Sequence, residues 1–312
     1  MSWINFNRIR LGLYITLGTI HKIANDEIIT KLRELIDDET DRIIINSRDN
    51  LVIDQDIFSG YLGKHIKVTN IIFTSSVLAM IPDYVKYFET DIAQESVHLL
   101  KVDILHLTMP EGQFLELPKS AISVSITLPR IVVNTRTNVY CSDNLKRFTL
   151  FGDNATINLM NCNYLQELRI SGRNSFVYGV EHYLFGLRLN VVPSVEYIRR
   201  FTALKSLRSD ISLGLDIDDI PNTLEILDTK LTSNGHPIYS TDILAERPNI
   251  KFIHFYEEMD DKKDLTPRAM QAIEEHPDTE FFINTMDTST STRTRKFIER
   301  HNSKAVALSE LL

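Results

Sequence analysis

Apolar residues recur along the middle of the chain in a short phrase that repeats about every twenty residues. Five leucines open this phrase, and each is followed three residues later by another apolar residue: Leu145, Leu165, Leu184, Leu204 and Leu224. The intervals between them are 20, 19, 20 and 20 residues. In most copies the fourth and sixth residues are apolar and the fifth is polar, as in Leu165-Gln-Glu-Leu168-Arg169-Ile170. This alternation predicts one short β-strand per repeat, with the apolar side chains turned inward.

The same phrase continues less regularly towards both ends of the chain. It precedes the five copies at Ala121-Ile-Ser-Val124-Ser-Ile126. It follows them at Ile250-Lys-Phe-Ile253-His-Phe255 and at Asp278-Thr-Glu-Phe281-Phe-Ile283. A single repeat cannot bury its own apolar side, so the pattern predicts a stack of repeats with one continuous core.

Two segments have the spacing of helices instead. Residues 26–37 place apolar side chains at helical intervals, so residues 1–40 are predicted to form a helical amino-terminal cap. Thr266-Pro267 is predicted to begin a helix that ends before Pro277, between two strands. A further helix at about 292–301 and a strand at 305–308 are predicted to close the array.

The Leu-x-x-Leu-x-Leu phrase resembles that of leucine-rich repeats, in which each repeat adds one strand to a curved parallel sheet. Leu117-Pro118 and Ile220-Pro221 are similar to FNIP-type repeats, a variant in which proline precedes the strand phrase. The Asn or Cys usual at the ninth position is replaced by Asp153, Arg173, Val192, Ser212 and Thr232. The resemblance implies an α/β fold: a curved leucine-rich-repeat-like solenoid with a parallel sheet over residues 41–312, a helical amino-terminal cap and helix-containing carboxy-terminal repeats.

The fifth position of each phrase lies between two inward residues and is therefore predicted to face the opposite, concave side of the sheet. Read along the chain, this position holds Ser125, Thr149, Arg169, Arg188, Arg208, Asp228, His254 and Phe282. Three adjacent arginines repel one another unless other charges compensate them. Two explanations are open: compensation within the chain by Glu167, Asp210 and Asp228, or an acidic or phosphorylated segment of a partner docking on the guanidinium groups. The predicted binding residues are Arg169, Arg188, Arg208, Asp228 and His254.

Composition is that of a folded protein. Of the 312 residues, 43% are hydrophobic and 24% are charged, and the formal net charge of −8 argues against broad electrostatic binding to nucleic acid. Cys141 and Cys162 are too few for a disulfide framework, and we expect buried packing cysteines in a reducing, intracellular compartment, either cytoplasm or nucleus. The chain has no apolar run of about eighteen residues, so no contact with a membrane is predicted.

Sequence signatures of catalysis are missing. The chain contains no H-E-x-x-H, G-x-S-x-G, G-x-G-x-x-G or Walker A motif, and its 9 histidines form no close pair. We therefore predict a protein-binding module or scaffold that has no cofactor or metal and is not an enzyme. One alternative is a substrate receptor of an F-box-type ubiquitin ligase, because the resembling repeats often follow an F-box, whose Leu-Pro opening Ile81-Pro82 matches weakly. The other is an enzyme whose site combines loops distant in sequence.

Overall fold

A computed structural model describes residues 4–9, 12–18, 25–36, 40–92, 94, 96–108, 114–128, 135–190, 194–255, 265–283 and 296–297. The chain divides into two compact units. The first unit comprises Met1–Leu165 and Ser171–Val180, and the second comprises Gln166–Ile170 and Glu181–Leu312. Short strands joined by turns and short helices build both units.

The main sheet of the first unit has eight strands in the order β1-β2-β3-β4-β5-β6-β8-β10. Their bounds are β1 Ile4–Ile9, β2 Gly12–Leu17, β3 Arg42–Ile53, β4 His65–Phe73, β5 Tyr87–Thr90, β6 Ile104–Thr108, β8 Ser123–Thr127 and β10 Arg147–Phe151. The first two strands pair antiparallel, and every later neighbour pairs parallel. The strands from β2 onwards therefore all run in the same direction, as the repeat predicts.

A smaller parallel sheet belongs to the same unit. It has the order β13-β11-β9-β7, with β7 Leu115–Glu116, β9 Thr135–Tyr140, β11 Ala155–Met160 and β13 Phe176–Tyr178. The helices of this unit are α1 Asn25–Leu35, α2 Ser75–Met80 and a 3-10 turn at Val97–Leu99. Along the chain β7, β9 and β11 alternate with β6, β8 and β10 of the main sheet, so these turns contain two strands each.

The second unit repeats the parallel pattern, and its connections lengthen towards the carboxyl end. Its strand order is β12-β14-β15-β16-β19-β20, with β12 Glu167–Ser171, β14 Gly186–Leu189, β15 Ser206–Ser209, β16 Ile226–Asp228, β19 Phe252–Phe255 and β20 Glu280–Ile283. The connections contain α3 Val195–Arg199, a 3-10 turn at Ile217–Asp219, an antiparallel hairpin of β17 Leu231–Ser233 with β18 His236–Ile238, α4 Ser240–Glu246 and α5 Pro267–Glu275.

The repeated leucines lie where the pattern predicts. Leu145, Leu165, Leu184, Leu204 and Leu224 are all buried, with at most 1% of their surface exposed. The next inward residues of each phrase, such as Leu168 and Leu187, are buried as well. The predicted class, an α/β solenoid with a parallel sheet and leucine-rich-repeat-like turns, is confirmed.

Several strands of the main sheets are preceded by the same tight turn. In it the amide of the residue that opens the phrase donates to the carbonyl three residues earlier, as Leu145 does to Ser142 at 3.1 Å. Three prolines fit this turn, because Ala121 donates to Pro118 and Leu224 to Pro221, both at 3.1 Å, and Val85 donates to Pro82 at 3.0 Å. Proline fixes an extended lead-in there without loss of a hydrogen bond, since only its carbonyl is needed.

The terminal segments differ from the prediction or lie partly outside the described residues. The helix predicted at 26–37 is present as α1, but residues 4–17 contain the strands β1 and β2 where a helical cap was predicted. The reason is that Leu13, Ile15 and Leu17 alternate with less buried residues, and this period of two suits a strand. At the other end, α5 is confirmed, and its Thr266 cap accepts from the amide of Ala269 at 3.2 Å. Of the helix predicted at 292–301 only residues 296–297 are described, and the strand predicted at 305–308 lies outside the described residues.

The cysteine prediction is also corrected, because a disulfide joins Cys141 to Cys162. These residues follow β9 and β11, which pair parallel with Tyr140 opposite Met160. A separation of 21 residues is therefore one turn of the solenoid, and it brings the two Cα atoms within 5.3 Å. The sequence showed the spacing, but the cysteines lie outside the strand phrase from which the repeat was recognised.

Candidate functional site

The three arginines predicted to line up do so in the second unit. Arg169 lies opposite Arg188, Arg188 opposite Arg208, and Arg208 opposite Asp228 on neighbouring parallel strands. Each is flanked in its strand by a buried residue before it, so its side chain points away from the core. We call Arg169, Arg188 and Arg208 the arginine row. Neighbouring strands of a sheet lie about 4.8 Å apart, so the three arginines begin at closely spaced backbone positions.

Part of the charge in this row is compensated within the chain. Nη2 of Arg188 lies 3.1 and 3.2 Å from the two carboxylate oxygens of Asp210. Nε of Arg208 donates to the hydroxyl of Ser206 at 3.3 Å. Among the described residues, no carboxylate lies within 4.0 Å of the Arg208 side chain. An ion pair within the chain thus compensates Arg188, while Arg208 is exposed, donates to a neutral hydroxyl and lies opposite Asp228 without forming an ion pair with it.

The other two predicted residues, Asp228 and His254, form a pair at the end of the row. Nδ1 of His254 lies 3.5 Å from Oδ1 of Asp228. The hydrogen bond from His254 lowers the pKa of Asp228 below its usual value, burial opposes that shift, and the charges of Arg208 and Arg188 add to it. The His254 side chain is only 14% exposed, against 36% for that of Arg188. His254 therefore serves mainly to hold Asp228, and the arginines are the groups that a partner can reach.

A shallow groove lies beside the arginine row. It has a volume of about 320 Å³ and a mostly apolar lining that includes Phe185, Gly186 and Ile226 together with Arg188 and Arg208. Sequence reasoning did not find it, because the groove depends on a position two residues before the arginines. By register that position holds Glu167, Gly186, Ser206 and Ile226 on successive strands.

The first unit has a polar cluster at the same register position, which sequence reasoning also missed. Within the first unit, Lys67, Glu89 and His106 lie opposite one another on successive strands, followed by the predicted Ser125 and Thr149. Nζ of Lys67 lies 2.7 Å from Oε1 of Glu89. The signal was present in Val85-Lys-Tyr-Phe88-Glu-Thr90, but valine opens this copy in place of leucine.

Tyr87 joins the members of this cluster. Its hydroxyl donates to Oε2 of Glu89 at 2.7 Å and lies 3.0 Å from Nδ1 of His106. Since the phenol has one proton, Nδ1 of His106 is the donor in the second contact. The ring of His65 packs against that of Tyr87, with 3.9 Å between ring centroids.

The pKa values of this cluster favour a structural role. Burial lowers the pKa of His65 to about 4, and it also lowers the pKa of His106. Burial raises the pKa of Tyr87. Burial would raise the pKa of Glu89 too, but hydrogen bonds from Lys67 and Tyr87 outweigh it and lower the pKa. Every group is thereby held in one protonation state at neutral pH, whereas a general acid or base works best with a pKa near the working pH.

A second depression of the second unit, of about 530 Å³, shares no residue with the groove. Nε and Nη2 of Arg199 donate to the buried Asp219 at 3.0 and 2.6 Å, and Nη2 of Arg247 donates to the carbonyl of Ile217 at 2.9 Å. These contacts link the connections of neighbouring turns, so both arginines have a structural role.

Neither metal clusters nor spanning helices are found in the part of the chain that the structure describes. No group of three or more His, Cys, Asp or Glu side chains there is arranged to hold a metal ion. No described helix has both the length and the apolar character needed to cross a bilayer.

Comparison with known proteins gives one structural likeness. No protein-family model matches the chain, and no curated protein matches its sequence. The chain is similar to the crystal structure of CroV588, described as a novel circular LRR protein, with 12% sequence identity and a TM-score of 0.23. The likeness covers 84% of this chain and 53% of the other, so the chain spans about half the length of that protein. At this TM-score the likeness carries no conclusion, and the class of the fold follows from the strand registers and the buried leucines.

Proposed function

We propose that the chain is a protein-binding module and that the arginine row of its second unit receives an acidic or phosphorylated segment of a partner protein. The observation that carries this proposal is the register of Arg169, Arg188 and Arg208 on adjacent strands. Guanidinium groups are planar forks that bind carboxylates and phosphates through paired hydrogen bonds. The sheet fixes the backbone positions of the three arginines, so no backbone has to become ordered when a ligand binds.

Charge supports the same proposal. The chain has a formal net charge of −8, yet three cations lie side by side on this face. Placing like charges on neighbouring strands costs stability unless they are compensated, and the ion pair with Asp210 compensates Arg188. Within the described part of the chain, Arg208 forms no ion pair and interacts only at longer range with Asp228, so a partner carboxylate or phosphate would add to its compensation. Open repeat arrays commonly bind partners along the face of their sheet.

The test is a double charge reversal, Arg188→Glu with Arg208→Glu. Partners are first identified by affinity purification from the native source and mass spectrometry, and the recombinant pair is then titrated directly. We expect the double variant to fold, since both side chains reach solvent, and to lose at least about tenfold in affinity, because hydrogen bonds to charged groups contribute about 1.5–3 kcal/mol each.

The matched control is Lys119→Glu with Lys146→Glu. Both lysines are exposed in the first unit, and the double substitution changes the net charge by the same amount. It should leave the affinity unchanged. Equal affinities of the two double variants would overturn the proposal.

We do not extend the proposal to an F-box-type receptor or to an FNIP-type assignment. Ile81-Pro82, the weak match to an F-box opening, is the turn that leads into β5, where the amide of Val85 donates to the carbonyl of Pro82 at 3.0 Å. Residues 4–17 contain strands where that reading required helices. A binding role is also proposed in preference to an enzymatic one, because the shifted groups of the first unit are each held in one protonation state.

A further inference from the structure

The groove beside the arginine row is centred on a strand position that has no side chain. Gly186 lies between Glu167 and Ser206 on the neighbouring strands, and Ile226 follows on the next strand. Phe185, 50% exposed, forms one apolar wall, and the partly buried Ile226 forms another. We call this space the Gly186 gap. The gap therefore combines apolar walls with the nearby guanidinium groups of Arg188 and Arg208, and ligand sites in proteins have this composition.

The distance between the gap and the arginines fits an extended peptide. Gly186 precedes Arg188 by two residues in the same strand, a rise of about 6.6 Å. An extended segment lying along the strand also places its residues i and i+2 on one side, about the same distance apart. A segment whose acidic side chain contacts Arg188 and Arg208 therefore has the residue two positions away directly above the gap.

The charge around the gap matches one carboxylate better than one phosphate. Five cations and four carboxylates lie on or beside this part of the face: Arg169, Arg188, Lys205, Arg208 and Lys251, and Glu167, Asp210, Glu225 and Asp228. With histidine counted as neutral, the net charge is +1. A carboxylate neutralises it, whereas a phosphoryl group brings about −1.5 to −2.

We propose that the second unit recognises a segment of a partner protein with an apolar residue two positions from an aspartate or glutamate. The apolar side chain fills the Gly186 gap between Phe185 and Ile226, and the carboxylate binds Arg188 and Arg208. This inference rests on the proposed function and adds the sequence preference of the partner. The gap selects the segment, and the arginines anchor it.

An oriented peptide library tests the preference. Glutamate is fixed at the centre of otherwise varied seven-residue peptides, and the purified full chain is the bait. We expect Leu, Ile, Met and Phe to be enriched two positions from the glutamate, on the side set by the direction of the bound peptide. A second library with phosphoserine at the centre should be captured less well. Stronger capture of the phosphoserine library would overturn the carboxylate assignment.

Gly186→Val then fills the gap. A Cβ at this position meets the backbone carbonyl oxygen of Gln166 at 3.3 Å, so the substitution requires the neighbouring strand to shift by a few tenths of an ångström. The variant should bind the enriched peptide about tenfold more weakly, since a missing apolar contact of one or two carbons changes affinity by this order. It should bind a matched peptide with alanine at the selected position as wild type does. Gly214→Val, whose Cβ would contact nothing within 4 Å, is the control and should keep the wild-type affinities.

The outcomes separate this inference from the proposed function. Suppose that Arg188→Glu with Arg208→Glu abolishes all peptide binding, but wild type shows no preference for apolar residues two positions from the glutamate. The gap proposal is then wrong, and the proposed role of the arginine row is retained. If wild type captures neither library, both are wrong. Should Gly186→Val fail to fold, Phe185→Ala removes a wall of the gap at a half-exposed position, and unchanged discrimination by that variant would equally refute the proposal.

Discussion

At the scale of single residues, His65 shows how packing on the sheet fixes a protonation state. Its ring packs on Tyr87, and burial together with the charge of Arg42 lowers its pKa to about 4. An unfolded histidine titrates near 6.5. The folded state therefore favours neutral His65, and the stability that this provides is complete above about pH 6.5 and is lost as the pH falls towards 4.

We predict that His65→Phe reduces the acid sensitivity of the protein. Phenylalanine keeps a ring against Tyr87 but binds no proton. The free energy of unfolding, measured by urea titration, should fall less between pH 7 and pH 5 in the variant than in wild type. His98→Gln, at an exposed position of the same unit, serves as the control and should keep the wild-type difference. An equal loss in His65→Phe and wild type would show that other groups set the acid response.

At the scale of elements, one turn of the solenoid places equivalent residues side by side. The disulfide between Cys141 and Cys162 and a hydrogen bond between the side chains of Asn154 and Asn174, 3.1 Å long, both link positions about one turn apart. Both asparagines have positive φ, which suits asparagine better than most residues. Asparagines thus link these two neighbouring turns, at the position after the ninth residue of the phrase.

Opening the disulfide should lower stability. A bridge closing a loop of 21 residues restricts the unfolded chain and contributes about 3 kcal/mol in the loop-entropy description. We expect Cys141→Ser with Cys162→Ser to lose this amount in urea unfolding, and wild type with a reducing agent to match the double variant. Oxidised and reduced wild type of equal stability would contradict the prediction. Mass spectrometry of protein alkylated at harvest from its native source would show which state the cell maintains, and so tests the intracellular location that the sequence predicts.

The spacing between equivalent residues decides what the sequence could and could not predict. The five leucine phrases and the arginine row were predictable, because equal spacing keeps equivalent residues in register. The contacts of Tyr87 were not, since it pairs with His65 at 22 residues and with Ile104 at 17, and unequal loops hide the register. The Gly186 gap was missed for another reason. It is formed where one strand lacks a side chain and the neighbouring strands have one. The repeat pattern follows the apolar positions along the chain and does not show which residues face each other across strands.

At the scale of the whole molecule, charge is distributed unevenly. The chain is acidic overall, with a formal net charge of −8, while the region around the arginine row has a local excess of positive charge. Long-range attraction depends on net charge, and short-range recognition depends on the few groups in contact. Short acidic segments can therefore bind the arginine row, whereas a long polyanion is also repelled by the acidic remainder of the surface.

This difference leads to a prediction about nucleic acid. Three arginines can release only about three counterions from a nucleic acid, which is too few for tight binding at physiological salt. We expect a fluorescently labelled 30-nucleotide single strand to show no saturable binding at 150 mM salt, at protein concentrations that saturate the preferred acidic peptide. Lowering the salt to 20 mM should leave any nucleic-acid binding weak, because the net charge of −8 then repels the strand over a longer distance. Saturable binding at 150 mM salt that Arg188→Glu with Arg208→Glu removes would instead assign the arginine row to a nucleic acid.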